Sequence, residues 1–290
     1  MGGRRLWLAV LAVVVVLLGG TAAWAAQRQD VAAPDPVRYV NLGDSYSAGA
    51  GIVPFAEGAA AQCSQSEANW AHDLAADHGL DLTDVSCSGA QTKDLRASQS
   101  AGVAPQLDAL SPETDLVTLT IGGNDGDVFV DSLIRCGAAA ARTDGQGNPC
   151  ERAYGSRFTD TVERTTYPRI VAALRDVRAQ APDARVAIAG YLRILPAEGG
   201  CFPTMPIAAG DVAYLDDIQG TLNDAVARAA AATGATFVDM AVASTGHDAC
   251  RPPGTRWVEP YVNPVNAAPV HPNVAGEKAM AARTAEVLGL

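Results

Sequence analysis

Four short blocks of the sequence carry groups that could catalyse acyl transfer. Ser45 lies in the block 43–49, Gly89 follows a serine, Asn124 follows a glycine pair, and His271 precedes a proline. A serine hydroxyl can attack an acyl carbonyl, an imidazole can take the hydroxyl proton, and amide groups can hold the developing oxyanion. Together the blocks predict a serine nucleophile, a histidine base and an oxyanion hole.

The elements that must position these blocks alternate between strand and helix along the chain. Apolar runs predict strands at 38–42, 82–86, 115–121, 185–191 and 236–240. Helical spacing predicts helices at 70–78, 160–180, 212–233 and 274–290, with another opening at 91–95. This alternation is typical of a parallel sheet with helices on both faces, in which ligands bind beyond the carboxyl ends of the strands. We therefore expect all four blocks at one edge of the sheet.

Two excursions rich in glycine, proline and polar residues interrupt this pattern, at 137–156 and 247–269. We expect the stretch between Cys201 and Cys250, together with residues 257–262, to form the wall of a substrate pocket.

The four blocks resemble those of the SGNH hydrolase superfamily, also called GDSL esterases and lipases. They match in order as Gly43-Asp44-Ser45, Gly89, Gly123-Asn124-Asp125 and His271-Pro272. The resemblance covers residues 37–290 and implies a flavodoxin-like three-layer α/β/α sandwich around a mostly parallel sheet of about five strands. It also implies Ser45 as the nucleophile and His271 as the base. The oxyanion hole would consist of the Ser45 and Gly89 amides and the Asn124 side chain.

The resemblance extends to function. It implies an exported serine esterase or lipase that hydrolyses carboxylic esters, such as acylglycerols or phospholipids, through an acyl-enzyme on Ser45. It implies no metal and no organic cofactor. We expect a monomer that contacts lipid surfaces only transiently. Two other functions stay open, a carbohydrate acetylesterase and an inactive envelope protein that binds glycan or lipid.

One position departs from the family pattern. Ala268 stands three residues before His271, where the family usually carries an aspartate that fixes the histidine tautomer. We therefore expect a Ser-His dyad in which a backbone carbonyl, that of Ala268, accepts the Nδ1 proton. Asp239 and Asp248 are the alternative partners from elsewhere in the chain.

Other residues compete for the two main roles. Ser47 is the rival nucleophile and His247 the rival base, while Ser45 alone could simply cap the helix that follows the first strand. The G-x-S-x-G motif of α/β-hydrolases is absent around Ser45, because Ser47 occupies its last glycine position.

Charge excludes some partners. The 290-residue chain has 21 Lys and Arg against 32 Asp and Glu, a formal net charge of −11. Nucleic-acid binders show a basic patch, and charge-driven docking on anionic lipid needs basic residues. Neither function fits this balance.

The N-terminus predicts export. Arg4 and Arg5, an apolar run at 6–18 and a small-x-small pattern at 23–25 indicate a signal peptide over 1–25, with an uncleaved membrane anchor as the alternative. Residues 26–36 form a linker, and the protein would be secreted or held in the cell envelope. Export favours disulfides among the six cysteines. Sequential pairing closes the shortest loops and predicts Cys63–Cys87, Cys136–Cys150 and Cys201–Cys250.

Overall fold

The computed structural model describes residues 35–290. The predicted signal peptide or anchor, and most of the linker, lie outside the described residues. Among the helices of 35–290, none is long and apolar enough to cross a membrane.

A five-stranded parallel sheet forms the centre of residues 36–290. Its strands are β1 (Arg38–Gly43), β2 (Asp81–Asp84), β3 (Leu116–Thr120), β4 (Arg185–Ala189) and β5 (Thr236–Val238). They are ordered β2-β1-β3-β4-β5, and β1 pairs with β3 in the register Val40 to Val117. This is the flavodoxin-like order, whose switch point lies between the first and third strands. It confirms the predicted fold class.

The helices are α1 (Ser45–Ala48), α2 (Trp70–His78), α3 (Val128–Ala141), α4 (Pro149–Tyr154), α5 (Arg157–Thr161), α6 (Tyr167–Gln180), α7 (Val212–Thr233), α8 (Met240–Ala243) and α9 (Val274–Leu288). Short 3-10 turns lie at Ala61–Cys63, Thr92–Leu95, Gln106–Ala109, Asp125–Asp127 and Ala209–Asp211. The helix expected to open at 91–95 is therefore only a 3-10 turn.

Two apolar layers hold helices against the sheet. One face of the sheet, with Tyr39 and Leu116, packs against α2 and α9. The other face, with Val40 and Val117, packs against α6, and α7 contributes to both layers. β3 is buried along its whole length, as is typical of a parallel strand covered on both faces.

The long helix predicted at 160–180 is more complex than its sequence pattern. α5 runs into a π-helical turn at Val162–Thr166, which runs into α6. Pro168 lies in the first turn of α6, where its missing N–H matters least. The wider π turn accommodates the proline ring without ending the helix.

Three disulfides cross-link the loops of this domain. They join Cys63 to Cys87, Cys136 to Cys150 and Cys201 to Cys250. The first also places the loop that contains Gly89, because the Ser88 amide donates to the Cys63 carbonyl at 3.0 Å. The second ties α3 to α4, so the excursion predicted at 137–156 is partly helical.

Candidate active site

Ser45 and His271 meet at the carboxyl edge of the sheet. The Ser45 Oγ lies 2.8 Å from His271 Nε2, although 226 residues separate the two in sequence. Both side chains are half-buried, so a substrate can reach them. Ser45 is the first residue of α1, directly beyond β1, and His271 lies just before α9.

The turn from β1 into α1 depends on Gly43. Its φ is +118°, and a Cβ there would lie 2.3 Å from the Thr120 carbonyl oxygen. Only glycine adopts this backbone at no steric cost. The tight turn lets the Asp44 amide donate to the same Thr120 oxygen at 2.9 Å, which fixes Ser45 against the end of β3.

Asp44, and not Ser45, caps α1. Its Oδ1 accepts from the Tyr46 amide at 3.0 Å. This leaves the Ser45 hydroxyl free for His271. The capping role considered for Ser45 is therefore filled by its neighbour.

The His271 ring is oriented by a carbonyl, but not by the one expected. Its Nδ1 lies 2.8 Å from the oxygen of Pro269, so the expectation of Ala268 was wrong by one residue. The reason is Val270, whose φ of +61° folds the chain back and brings the Pro269 carbonyl to the ring. Because a carbonyl can only accept, Nδ1 carries the proton and Nε2 presents its lone pair to Ser45.

Burial keeps this imidazole in its basic form. Desolvation lowers the pKa of His271, and the hydrogen bond to Pro269 opposes that shift only in part. At neutral pH the ring is therefore uncharged, as a general base must be.

The two alternative carboxylates have other roles. Asp239 caps α8 by accepting from the Val242 amide at 3.0 Å. Asp248 accepts from the Cys250 amide at 3.0 Å and from Arg251 Nε at 3.1 Å. Neither carboxylate hydrogen-bonds to His271.

The rival nucleophile and base are also structural. Ser47 is buried, and its Oγ accepts from the Thr120 amide at 2.8 Å. His247 donates from Nδ1 to the Thr255 carbonyl and stacks on Trp257 with the ring centroids 4.0 Å apart. Each side chain ties one loop to its neighbour.

The expected oxyanion donors lie at the same edge of the sheet. Gly89 follows Cys87 in a turn where its φ is +77°. Asn124 follows β3, and its Nδ2 donates to the Ala90 carbonyl at 3.1 Å, which holds this side chain beside the Gly89 loop. A primary amide nitrogen has a second hydrogen, which remains for a ligand oxygen.

Tyr191 connects these parts of the site, and sequence analysis did not identify it. It follows β4, accepts from the Gly123 amide at 2.7 Å and donates to Asp44 Oδ2 at 2.5 Å. Burial raises the pKa of Asp44 to about 6, although hydrogen bonds from Tyr191 and Thr120 counter it. The available signal was position, because Tyr191 directly follows a strand at the edge where the other blocks lie.

An apolar pocket adjoins the pair. Phe129 lies in its wall and meets the His271 ring edge to face, with centroids 6.1 Å apart. The other lining residues come from α3, the loop after β4 and α7: Val128, Ser132, Leu133, Tyr191, Ile194, Leu195, Leu215, Ile218, Gln219 and Leu222. The stretch between Cys201 and Cys250 thus contributes α7, as expected, whereas residues 257–262 do not line this pocket.

Within residues 35–290, no group of three or more His, Cys, Asp or Glu side chains is arranged to hold an ion.

Known proteins are similar to this chain in sequence and in fold. The model of the GDSL-like lipase/acylhydrolase family matches residues 42–279. Lipase 2 of Streptomyces coelicolor is 50% identical over 289 residues, covering 99% of this chain and 98% of that protein. Phospholipase A1 of Streptomyces albidoflavus superposes with a TM-score of 0.71 at 29% identity, over 88% of this chain and 99% of that one. The extracellular lipase of Streptomyces rimosus gives a TM-score of 0.72 at 27% identity, over 87% and 99%.

The contacts of Asp239 and Asp248 generate a prediction. Asp239→Asn and Asp248→Asn should each keep kcat on a short p-nitrophenyl ester within roughly tenfold of the parent, because neither side chain touches His271. Rates are expressed per active site, so that partial unfolding does not mimic a catalytic effect. A loss near ~10⁴ in either variant, the scale of a true triad acid, would contradict the backbone-oriented dyad.

Proposed function

Because the chain belongs to the family of GDSL-like lipases and acylhydrolases, we propose that it hydrolyses esters of apolar acyl chains through an acyl-enzyme on Ser45. The observation that carries this proposal is the 2.8 Å contact between Ser45 Oγ and His271 Nε2. A nucleophile within hydrogen-bond reach of a base that is itself oriented by another group is the signature of nucleophilic catalysis.

In the first half-reaction, Ser45 Oγ attacks the ester carbonyl while Nε2 of His271 takes the hydroxyl proton. The carbonyl π electrons move onto oxygen, and the Ser45 amide, the Gly89 amide and the Asn124 side chain donate to the oxyanion. First-turn amides such as that of Ser45 have no acceptor within their helix, so they are available to a ligand. The intermediate collapses when the carbon–oxygen bond to the alcohol breaks and the imidazolium returns the proton to the leaving oxygen.

In the second half-reaction, water replaces the alcohol. His271 takes a proton from the water as it attacks the acyl carbon, and returns it to Ser45 Oγ as the acid leaves. In both steps the Pro269 carbonyl faces the charged ring. Its partial negative charge stabilises the imidazolium less than a carboxylate would, but it fixes the tautomer that both steps need.

The apolar pocket supports esters with an extended acyl chain. Its walls are mostly aliphatic and aromatic. The two polar side chains that line it from the helices are engaged elsewhere, since Ser132 donates to the Phe129 carbonyl and Gln219 donates to the Leu192 carbonyl. An acetyl group would contact only part of this apolar lining, which favours the lipase function over the acetylesterase. The acidic chain also favours neutral or zwitterionic lipids over anionic ones.

Export is part of the proposal. Stable disulfides form in oxidising compartments outside the cytosol, and the domain has three of them. The similar lipase from Streptomyces rimosus is described as extracellular. The N-terminal pattern at 1–25 would direct the same route for this chain.

A fluorophosphonate probe tests the nucleophile. It should label the parent on Ser45 only, and Ser45→Ala should abolish labelling and lower kcat by about 10⁴-fold or more, because the attacking oxygen is gone. Ser47→Ala is the matched control, and it should still be labelled at Ser45. A labelled Ser45→Ala protein, or an adduct mapped to Ser47, would refute the assignment. An unlabelled parent would favour the inactive binding protein.

The pocket gives a second test, by acyl-chain length. Ser132 is 5% exposed and faces the pocket, so Ser132→Phe should fill it. If four methylenes of the decanoyl chain lose their binding site, at a cost of about 0.8 kcal/mol for each, kcat/KM for the decanoyl ester should fall by roughly 200-fold. The acetyl ester should change by no more than about threefold.

The control for this substitution lies on the same helix. Val130 is 47% exposed, and Val130→Phe should leave the whole chain-length series unchanged. Equal losses on acetyl and decanoyl esters in Ser132→Phe would mean that the pocket does not bind the acyl chain. A parent that already prefers acetate would favour the acetylesterase.

A further inference from the structure

Val270 has a backbone conformation that valine rarely adopts. Its φ is +61°, in the left-handed region where a β-branched side chain is a steric outlier. It lies between Pro269, whose carbonyl accepts from His271 Nδ1, and His271 itself. The orientation of the ring therefore depends on a backbone conformation that valine alone would not hold.

Two hydrogen bonds hold the backbone of Val270. The Val270 amide donates to the Glu259 carbonyl at 2.9 Å, and the Val270 carbonyl accepts from the Tyr46 hydroxyl at 2.8 Å. The valine side chain is buried. Both backbone polar groups of Val270 are thus hydrogen-bonded, and one of the partners, Tyr46, is distant in the sequence.

Tyr46 directly follows Ser45 on α1. Its amide is fixed by Asp44, its side chain is buried, and its ring packs at 5.3 Å from the His271 ring and 5.1 Å from the Tyr191 ring. Burial raises the pKa of the Tyr46 hydroxyl, so it stays a donor at any working pH. One rigid side chain therefore bridges the helix that holds the nucleophile and the turn that holds the base.

We propose that Tyr46 is a positioning residue for the Ser45–His271 dyad. Its hydroxyl donates to the Val270 carbonyl and so stabilises the left-handed turn. The turn places the Pro269 oxygen at Nδ1 of His271 and directs Nε2 of the same ring toward Ser45. In the usual triad of this family, an aspartate side chain three residues before the histidine anchors the ring. In this chain the acceptor, the Pro269 carbonyl, belongs to the same turn as the His271 ring. An anchor from outside that turn must therefore come from residues that hydrogen-bond to its backbone. The proposal rests on Ser45 and His271 being the reacting pair.

The test removes the hydroxyl and keeps the ring. Tyr46→Phe should lower kcat on a short ester by about 10- to 100-fold, because a misplacement of about 1 Å can cost that much, while KM stays within about threefold. Rates are expressed per active site titrated with fluorophosphonate, so that unfolded protein is not counted. Tyr39→Phe is the matched control, since it removes another buried hydroxyl bond, 2.6 Å from Thr118 Oγ1 within the sheet. It should leave kcat unchanged.

A second substitution tests the route through Val270. Glycine adopts positive φ readily, so Val270→Gly should make the turn less dependent on its anchor. In that background the loss caused by Tyr46→Phe should shrink to about threefold or less. A full loss in both backgrounds, a change confined to KM, or a Tyr46→Phe enzyme with the kcat of Tyr39→Phe would each overturn the proposal. If the proposed function itself fails, the parent and Tyr39→Phe will be inactive as well.

Discussion

The hydrogen bond from His271 Nδ1 to the Pro269 carbonyl, 2.8 Å long, is the interaction on which the proposed chemistry of this site depends. It decides which ring nitrogen carries the proton, and so whether Nε2 can accept one from Ser45. A carbonyl two residues from its histidine cannot reach the ring from an extended chain. The left-handed Val270 turn provides that reach, and the buried contacts around it maintain the turn.

The sheet supplies the rest of the geometry. Parallel strands end at one edge, and the pairing of β1 with β3 puts the loop that carries Ser45 beside the loop that carries Asn124. Asp44 then ties three strand ends together, since it accepts from Thr120 Oγ1 at the end of β3, from Tyr191 after β4 and from the first turn of α1. This network fixes the short loops that carry the proposed reacting groups.

The parts of the fold that were predictable from sequence are those specified by local pattern. The apolar run at 115–121 predicted a strand that the structure places at Leu116–Thr120. Three blocks after strand ends and a fourth before the last helix located the serine and the histidine. The strand predicted at 82–86 ends earlier, at Asp84, although the Val85 and Cys87 amides still donate to carbonyls of β1.

What sequence analysis could not predict depends on contacts between distant residues. Nothing in the pattern around His271 indicates that Val270 has a positive φ, because that conformation is held by Tyr46 and Glu259. Ala268 was therefore named where Pro269 is the acceptor. Tyr191 was missed because the predicted strand at 185–191 includes it, and a tyrosine in a buried strand is typical of a core residue. Its role emerges only when β4 is placed beside β3.

The most direct test of this account is to determine the tautomer of His271. In ¹⁵N-histidine NMR spectra at about pH 8, well above the usual imidazole pKa, the account predicts a protonated Nδ1 and an unprotonated Nε2. His271→Gln identifies the signal among those of the four histidines by its loss. A His271 ring protonated on Nε2, or exchanging equally between the two tautomers, would contradict the account, because no fixed lone pair would then face Ser45.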